Sequence, residues 1–359
     1  MKRRTGSGGR QAAHRHSASE FTALGTPFVV RRPPYAVLRT PFVVRRFTYA
    51  ALRLPVSALS RVLIGVDAGA SHTTAAVADA HGTVLVRAEG APGAVRPGDA
   101  EGAAARIVDT CREALVKAER AVRGDVLVVG AAGAGRETER LALQAALEAT
   151  RLFALVHVTT DGAIALQAAF GDGHGIVLMA GTGSIAWARL PDGDTARAGG
   201  LGPALGDPGS GYALGRAALR GAALALEGMA PRTRLAEALL RRLHLAGIED
   251  LVRWAGAAGV PTVAALAADV LDLAGEGDEV AGTIADAGAD ALARHVAALA
   301  RRYPRGAAVP VALGGGLLVR TEEYRRRVVV RIVAETDAAE IRTTPVDAVL
   351  GAIHLARSL

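Results

Sequence analysis

The body of the chain opens with an apolar run that ends in an acid, Val62-Leu-Ile-Gly-Val-Asp67, and continues into the turn Ala68-Gly-Ala-Ser-His-Thr-Thr74. A short apolar run bounded by such a turn predicts a buried strand. Small residues in the turn let backbone N–H groups close on phosphate oxygens, and the hydroxyls of Ser71, Thr73 and Thr74 add donors. Asp67 is suited to hold a hydrated Mg²⁺, which accepts few carboxylates and keeps its waters.

Two further glycine-rich turns follow predicted strands in the same way. They are Ala180-Gly-Thr-Gly-Ser184 and Leu313-Gly-Gly-Gly316, and the latter lets a flat ring lie close to the backbone. A single turn of this kind is more often an ordinary turn, but three of them in this order, each after an apolar strand, indicate a phosphate-binding site. Residues 67–74, 180–184 and 313–316 are called the first, second and third glycine-rich turns below.

The order of predicted elements repeats along the chain and indicates an α/β protein with two related halves. Each half opens with a strand, a glycine-rich turn and a second strand, and two mixed-sheet domains of this kind leave a cleft between them, where ligands are usually bound. The predicted elements are strands 62–67, 73–80, 83–89, 125–130 and 154–159 with helices 99–120 and 137–149, then helix 161–170, strands 175–180, 183–190, 195–199, 308–313 and 328–333, a largely helical stretch 209–300 and a helix 346–357.

The positive charge of the chain is concentrated in its first residues. The formal net charge is +7, but residues 1–61 contain twelve of the 42 lysines and arginines and only one of the 35 acidic residues, Glu20. Residues 62–359 are therefore mildly acidic, and we expect no nucleic-acid partner for them.

Residues 1–61 also contain a tandem repeat, because residues 26–39 return with few changes as residues 40–53. Two copies are too few for a solenoid, and the apolar segment of a secretory signal does not follow the basic start. We expect residues 1–61 to be a disordered or non-native extension, and the alternative of a nucleic-acid-binding protein depends wholly on this tail.

The lysine and cysteine counts exclude several classes of protein. Neither lysine, Lys2 or Lys117, follows a glycine, so the chain lacks the Walker A loop, whose Lys reaches the outer phosphates of a nucleotide. The single Cys111 excludes a disulfide framework, a multi-cysteine zinc site and an iron–sulfur cluster held by four cysteines of one chain. Its Ala-rich helical context favours a small core residue. No apolar run approaches the ~18 residues of a transmembrane helix.

Five motifs in order resemble those of the BadF/BadG/BcrA/BcrD-type ATPases, which include N-acetylglucosamine and glucosamine kinases and belong to the actin-like sugar kinase superfamily. The resemblance covers essentially all of residues 62–355. It implies two ribonuclease H-like (actin-like ATPase) domains, residues 62–160 and 161–345, with a nucleotide cleft between them. A C-terminal helix, residues 346–359, would pack back toward the first domain. The motifs are residues 67–74, 160–162, 180–184, 199–215 and 314–316.

The resemblance assigns ATP to the three glycine-rich turns and an amino sugar to the cleft beside them. It implies that Asp161 faces the cleft. We expect Asp161 to be the catalytic base and a sugar contact, with Glu137 as the reserve base if its loop folds into the cleft and Asp67 as the Mg²⁺ ligand. An Asp that opens a helix is also commonly its N-cap, so both interpretations of Asp161 stay open. The remaining implied residues are Gly69, Ser71, Thr73, Thr74, Gly181, Thr182, Gly183 and Ser184 for phosphates, Gly314, Gly315 and Gly316 for adenosine, and Asp207 and Ser210 for substrate or as N-caps.

The sugar half of the motif set departs further from the family than the nucleotide half. Val95 stands about where the amino-sugar kinases have an Asn that contacts the sugar, and Gly135 stands where they have an acid. Pro208 replaces the Glu of Gly-Asp-Glu-Gly-Ser, and Ala68 and Ala70 replace glycines of the first turn.

The resulting expectation is a cytoplasmic ATP-dependent kinase that phosphorylates a hydroxyl of an amino sugar, N-acetylglucosamine or a relative, with no membrane partner and with a homodimer left open. One alternative is a nucleotide-binding regulator of the same fold that does not phosphorylate a sugar. Another is a radical-dehydratase activator, whose subunits share an iron–sulfur cluster through cysteines, and Cys111 is not at a matching position.

Overall fold

Residues 61–359 are described by the computed structural model, and the predictions made for residues 1–60, including the tandem repeat, lie outside the described residues. The described part forms two mixed five-stranded sheets, in agreement with the predicted fold class. The first sheet consists of β1 (Leu63–Ala68), β2 (Thr73–Ala78), β3 (Val84–Gly90), β4 (Gly124–Ala131) and β5 (Phe153–Thr160), and the second of β6 (Gly175–Ala180), β7 (Ser184–Arg189), β8 (Thr195–Gly199), β9 (Val309–Gly314) and β10 (Ala339–Ile341).

The two sheets have the same topology. The first has the order β3-β2-β1-β4-β5 and the second the order β10-β9-β6-β7-β8, so that β6 to β10 repeat the positions of β1 to β5. In each sheet the first three strands pair antiparallel and the last two add in parallel. Parallel strands need a crossover connection, which explains why helices follow the hairpin strands in both halves.

Twelve helices cover the sheets in the described part of the chain. They are α1 (Ala100–Lys117), α2 (Glu137–Ala149), α3 (Asp161–Phe170), α4 (Gly211–Leu226), α5 (Arg234–Leu243), α6 (Ile248–Ala257), α7 (Val260–Ala264), α8 (Ala267–Gly275), α9 (Glu279–Ala300), α10 (Gly316–Arg320), α11 (Glu322–Glu335) and α12 (Ala348–Ser358). None of them combines the length and the apolar character that crossing a bilayer requires.

Helices α3 and α12 lie between the two sheets and form one core with both of them. This core contains Leu63 of the first sheet, Val177 of the second, Ile164 of α3 and Ile353 of α12, all fully buried. The outer face of the first sheet packs on α1 and α2, and the outer face of the second packs on α4, α5, α8, α9 and α11. The two sheets and the central helices therefore share one continuous apolar core.

The close approach of α3 and α12 depends on Gly351. A Cβ built at this residue would overlap the carbonyl oxygen of Ile164 and lie 2.8 Å from the backbone nitrogen of Ala168. Both atoms belong to the backbone of α3, so the clash cannot be relieved by a side-chain rotation. Only glycine permits this helix crossing.

The strand predicted at residues 328–333 is wrong, because these residues lie within helix α11. Their β-branched composition favours a strand, but Tyr324, Val328 and Ile332 are four residues apart and all are fully buried on one face of the helix. The position in the sheet that this strand was expected to fill belongs to β10, a three-residue strand that the sequence pattern did not predict.

Ion pairs between α11 and α9 are a second reason why residues 328–333 form a helix and not a strand. Arg327 pairs with Asp286 and Arg331 with Asp290, so that residues one turn apart on each helix meet their counterparts on the other. Residues four apart share a face only in an α-helix, and tertiary packing thus overrides the local strand preference.

The single Cys111 lies on α1 with no exposed surface, in the core between this helix and the first sheet. Burial raises the pKa of its thiol to about 12. The prediction of a small core residue is confirmed.

The substitution Gly351→Ala tests the central helix crossing. We expect it to lower the free energy of unfolding by about 1–3 kcal/mol, the usual cost of overpacking a core, as measured by urea denaturation of the full chain. Gly282→Ala is the matched control, because a Cβ at Gly282 on α9 meets nothing within 4 Å and replacing a helical Gly there stabilises by about 0.5–1 kcal/mol. Equal changes in the free energy of unfolding of the two variants would contradict the close approach of α3 and α12 at Gly351.

Candidate active site between the two sheets

Strand alternation directs Asp67 and Thr74 into the space between the sheets. On β1, Ile64 and Val66 face the α1 and α2 core, and Leu63 faces the central helices. Because successive side chains point to opposite faces, Asp67 shares the inner face with Leu63. Thr74 is its cross-strand partner on β2 and projects to the same side.

The pKa of Asp67 is raised from 3.8 to about 7. Burial is the largest cause, and the negative charges of Asp161 and Asp347 add to it. The carboxylates of Asp161, at the start of α3, and Asp347, before α12, therefore lie within electrostatic reach of Asp67. A cation bound beside these acids would offset the repulsion between their negative charges.

Asp161 occupies the first position of α3, and its neighbour Thr160 is the N-cap. The Thr160 side chain accepts a hydrogen bond from the N–H of Ala163 at 3.0 Å, while Asp161 Oδ1 accepts one from the N–H of Gly162 at 2.9 Å. Burial raises the pKa of Asp161, and the Gly162 N–H and the charge of Arg197 partly oppose this rise. Capping of α3 therefore does not require Asp161.

The first and second glycine-rich turns meet directly. The hydroxyls of Ser71 and Thr182 lie 2.8 Å apart and share a hydrogen bond, although 111 residues separate them in the sequence. In the first turn the N–H of Gly69 donates to the carbonyl of His72 at 3.0 Å. In the second, the N–H of Gly181 donates to the carbonyl of Gly183 at 2.9 Å. Two tight hairpin turns from different sheets thus face each other.

The third glycine-rich turn packs against the end of β6. Gly315 has a φ of +84°, and a Cβ at this residue would lie 2.5 Å from the carbonyl oxygen of Ala180. A Cβ at Gly181 would lie 3.8 Å from the nitrogen of Gly316. The second and third turns are therefore neighbours. Gly314 ends β9, and Gly316 begins α10.

A cleft of about 770 Å³ opens beside these turns. Its lining includes Asp67 and Thr74 from the first sheet, Gly315 and Gly316 from the third turn, and Asp347. The volume is within the range of small-molecule sites. The predicted metal ligand Asp67 and two of the three predicted adenosine glycines, Gly315 and Gly316, thus line one cleft.

Two of the predicted phosphate-binding hydroxyls, those of Thr73 and Ser184, donate hydrogen bonds to backbone carbonyls of the protein. Thr73 has no exposed surface and donates to the carbonyl of Ala91 at 2.7 Å. Ser184 is 3% exposed and donates to the carbonyl of Pro208 at 2.9 Å. Both side chains point away from the cleft because strand alternation places them on the outer faces of their sheets. The site proposed below leaves these two hydroxyls out.

Asp207 and Ser210 both lie in the glycine-rich run 199–215, but their side chains make different contacts. Ser210 is fully buried and caps α4 by accepting the N–H of Ala213 at 3.2 Å, which is the N-cap alternative stated for this residue. Asp207 accepts the N–H of Gly202 at 3.2 Å, and its Oδ2 would lie 2.7 Å from a Cβ at Gly183. Burial raises the pKa of Asp207. Its carboxylate therefore lies against the second glycine-rich turn.

Glu137 lies on the outside of α2, away from the carboxylate group. Its side chain is 80% exposed and its carboxylate lies 3.7 Å from the guanidinium of Arg140. It does not contribute to the shifted pKa values of Asp67 or Asp161. The structure does not bring the reserve base into the cleft.

Asp347 is a functional candidate that the sequence reasoning missed. It precedes α12 and pairs with Arg87 of β3 at 2.6 Å. The neighbouring Val346 forms a bridge with Gly314 of the third turn. The only local signal was an Asp before the final helix, and this signal also fits an N-cap.

The donor set fits a cation that keeps most of its waters. Within residues 61–359 no group of three His, Cys, Asp or Glu side chains is arranged to enclose a metal. Mg²⁺ in phosphate sites commonly binds through one or two carboxylates and the substrate. The buried carboxylate of Asp67, beside two further acids, matches this requirement.

The repeated sheets, the facing turns and the cleft are those of an actin-like ATPase. The chain belongs to the BadF/BadG/BcrA/BcrD ATPase family, whose profile matches residues 64–356, and the predicted family is confirmed.

Relatives and solved structures support this assignment. The chain is 27% identical over 310 residues to an N-acetyl-D-glucosamine kinase of Dictyostelium discoideum, which covers 82% of this chain and 97% of the relative. It is 28% identical over 201 residues to an N-acetylmuramic acid/N-acetylglucosamine kinase of Clostridium acetobutylicum, over 56% of this chain and 66% of that protein. A crystal structure from Chromobacterium violaceum, of a protein proposed as an N-acetylglucosamine kinase, superposes with a TM-score of 0.70 at 28% identity and covers 82% of this chain and 99% of that one.

The raised pKa of Asp67 predicts a stability gain for Asp67→Asn in the ligand-free protein. The unfolded chain ionises this group at pH 3.8 and the folded chain at about 7, so the wild-type fold loses stability as the pH rises from about 4 to about 7. A shift of this size corresponds to roughly 4 kcal/mol at most. Urea denaturation should show the variant to be more stable at pH 8, with a smaller difference at pH 5. Asp172→Asn, at an exposed site, is the control. If the stability difference between Asp67→Asn and the wild type were the same at pH 5 and pH 8, the raised pKa of Asp67 would be contradicted.

Proposed function

We propose that the protein transfers the γ-phosphate of ATP to a hydroxyl of an amino sugar, N-acetylglucosamine or a close relative. The observation that carries this proposal is the contact of Ser71 with Thr182, which joins the two glycine-rich turns, one of which begins at Asp67. The relatives from Dictyostelium discoideum and Clostridium acetobutylicum named above are amino-sugar kinases.

The two facing turns are suited to hold the phosphates of ATP. Thr74 lines the cleft, and the hydroxyls of Ser71 and Thr182 lie where the two turns meet. Backbone amides in tight turns form anion-binding concavities without a lysine. We assign the adenosine to the third turn, because Gly315 and Gly316 line the cleft and present no side chain toward it.

Asp67 would hold a hydrated Mg²⁺ between these turns. Such an ion neutralises phosphate charge during transfer. It would also return Asp67 to the ionised state, because a nearby positive charge lowers the pKa of a carboxylate.

Asp161 is assigned as the general base that accepts the proton of the sugar hydroxyl. Since Thr160 caps α3, the Asp161 carboxylate keeps an oxygen free for this contact. Burial raises its pKa, and a carboxylate with a higher pKa is a stronger base.

The sugar is assigned to the side of the cleft between Asp161 and Asp207. Asp207 lies against Gly183 of the second turn, so a sugar held by this carboxylate would lie next to the terminal phosphate. Val95, at the position of the family's sugar-binding Asn, is 2% exposed and belongs to the core of the first sheet. Recognition of the sugar must therefore depend on other residues in this chain.

Closure of the two sheets around the substrates would exclude water and limit the hydrolysis of ATP. We retain residues 62–160 and 161–345 as the two domains that would close, with α12 following the second. The alternative of a radical-dehydratase activator is disfavoured by Cys111, which is fully buried in α1 and cannot reach a partner subunit without unfolding of this core.

Asp161→Asn tests the assignment of the base. We expect kcat for N-acetylglucosamine phosphorylation to fall about 10²–10⁴-fold, the usual contribution of a general base, with the KM for ATP changed less than about threefold. The readout is ADP release by the full chain with ATP and Mg²⁺. Glu137→Gln and Asp172→Asn are matched carboxylate controls and should retain wild-type kcat.

The same assay distinguishes the kinase from a nucleotide-binding regulator. The wild-type chain is supplied with N-acetylglucosamine, glucosamine, N-acetylmuramic acid or glucose, and ADP release should depend on one of the amino sugars. Tight ATP binding without sugar-dependent turnover would contradict the kinase and support the regulator. A loss of activity in Glu137→Gln that matched the loss in Asp161→Asn would contradict the choice of base.

A further inference from the structure

A cavity of about 570 Å³ lies between α4, the connection from α4 to α5, and the start of α9. Its lining shares no residue with the cleft that contains Asp67. The volume is within the range of small-molecule sites, and the proposed kinase reaction makes no use of it.

The floor of this cavity is apolar because two helix faces meet there. Ala217, Gly221 and Leu224 are three or four residues apart on α4 and share one face. On α9, Val280 and Ile284 are four apart and half-buried at the edge of the second sheet's core. A Cβ built at Gly221 would lie 3.2 Å from Cγ1 of Val280 and 3.8 Å from Cδ1 of Ile284. The absence of a side chain at Gly221 therefore keeps the apolar floor open.

Three arginines line the same cavity, and two of them have no counter-ion. Arg234, at the start of α5, pairs with Glu276 at 3.0 Å. The guanidinium groups of Arg220, on α4, and Arg232, in the connection to α5, make no ion pair or hydrogen bond with any residue between 61 and 359. Each of these two groups has five N–H donors available for a ligand.

The two acids in the lining do not neutralise these arginines. The carboxylate of Asp278 is buried and accepts hydrogen bonds from the hydroxyl of Thr233 and from the N–H groups of Arg234 and Ala281, all at 2.9 Å. Glu279, the exposed first residue of α9, makes no ion pair with the part of the chain that the structure describes. Two unpaired cations against one unpaired acid leave the cavity with an excess of positive charge.

The apolar floor and the unpaired guanidinium groups together define the class of ligand. A guanidinium forms charge-assisted hydrogen bonds with a carboxylate in a matching planar geometry, and an apolar chain gains free energy when it covers apolar surface. A neutral apolar molecule would leave the arginines without a counter-ion. A small inorganic anion would leave the floor in contact with water.

We propose that this cavity binds an amphiphilic carboxylate, whose apolar chain lies on Leu224, Val280 and Ile284 and whose carboxylate pairs with Arg220 and Arg232. The inference goes beyond the proposed function and does not depend on it, because none of the residues that line the nucleotide cleft lines this cavity.

Calorimetric titration of the full chain with decanoate tests the proposal. Acetate, which has the charge without the chain, and 1-decanol, which has the chain without the charge, are the comparison ligands. Arg220→Gln and Arg232→Gln each remove one cation, and Gly221→Leu fills the floor. The matched controls are Arg241→Gln, at an exposed arginine of α5 outside the lining, and Gly282→Leu, at a glycine of α9 where an added Cβ meets nothing within 4 Å.

The wild-type chain should bind decanoate with a Kd of roughly 10–100 µM, and acetate and 1-decanol at least about tenfold more weakly. Each arginine variant should weaken decanoate binding about 10- to 100-fold, the loss expected for a charge-assisted hydrogen bond. Gly221→Leu should weaken it at least about tenfold, because the added side chain takes the place of the ligand chain. Both control variants should bind decanoate as the wild type does.

Absence of decanoate binding to the wild-type chain would overturn the inference. Unchanged binding in the two arginine variants would overturn it as well, and so would equal affinities for decanoate and either comparison ligand. The arginine variants change exposed side chains and are expected to leave the fold intact, so they decide the question even if Gly221→Leu does not fold. Because no step of the titration measures phosphoryl transfer, its failure is distinguishable from a failure of the proposed function.

Discussion

The close crossing of α3 and α12 is the constraint on which the rest of the structure depends. At Gly351 the two helix backbones approach so closely that a single added carbon would overlap a carbonyl oxygen of α3. These helices share a core with both sheets, so their separation sets the distance between the sheets. Because α3 begins at Asp161 and α12 follows Asp347, the same helices bring both carboxylates close enough to Asp67 to raise its pKa.

Much of the fold could be predicted from the sequence because the two halves repeat one pattern. Apolar runs bounded by turns predicted nine of the ten strands near their observed bounds, starting at β1 and β6. Local pattern failed where tertiary contacts outweigh it. Residues 328–333 have strand composition, yet burial of Val328 and Ile332 against α9 makes them helical. β10 is too short to produce a periodic signal.

The candidate site was predictable at the level of turns but less so at the level of single atoms. The pattern indicated the first and second turns, and the structure joins them through Ser71 and Thr182. Which hydroxyls face the cleft depends on strand alternation and on loop contacts. The hydroxyl of Ser184, for example, donates to the carbonyl of Pro208. Asp347 could not be predicted, because it reaches the cleft from a remote segment and lies outside the recognised motifs.

The central claim is that the cleft places a sugar hydroxyl between Asp161 and the terminal phosphate of ATP. The most direct measurement is a crystal structure of the Asp161→Asn chain with ATP, Mg²⁺ and the amino sugar bound together. The account predicts a sugar hydroxyl about 3 Å from the side chain at residue 161, with the γ-phosphate between the first and second turns. A sugar bound outside the space between the sheets, or a phosphate chain bound away from these two turns, would contradict it.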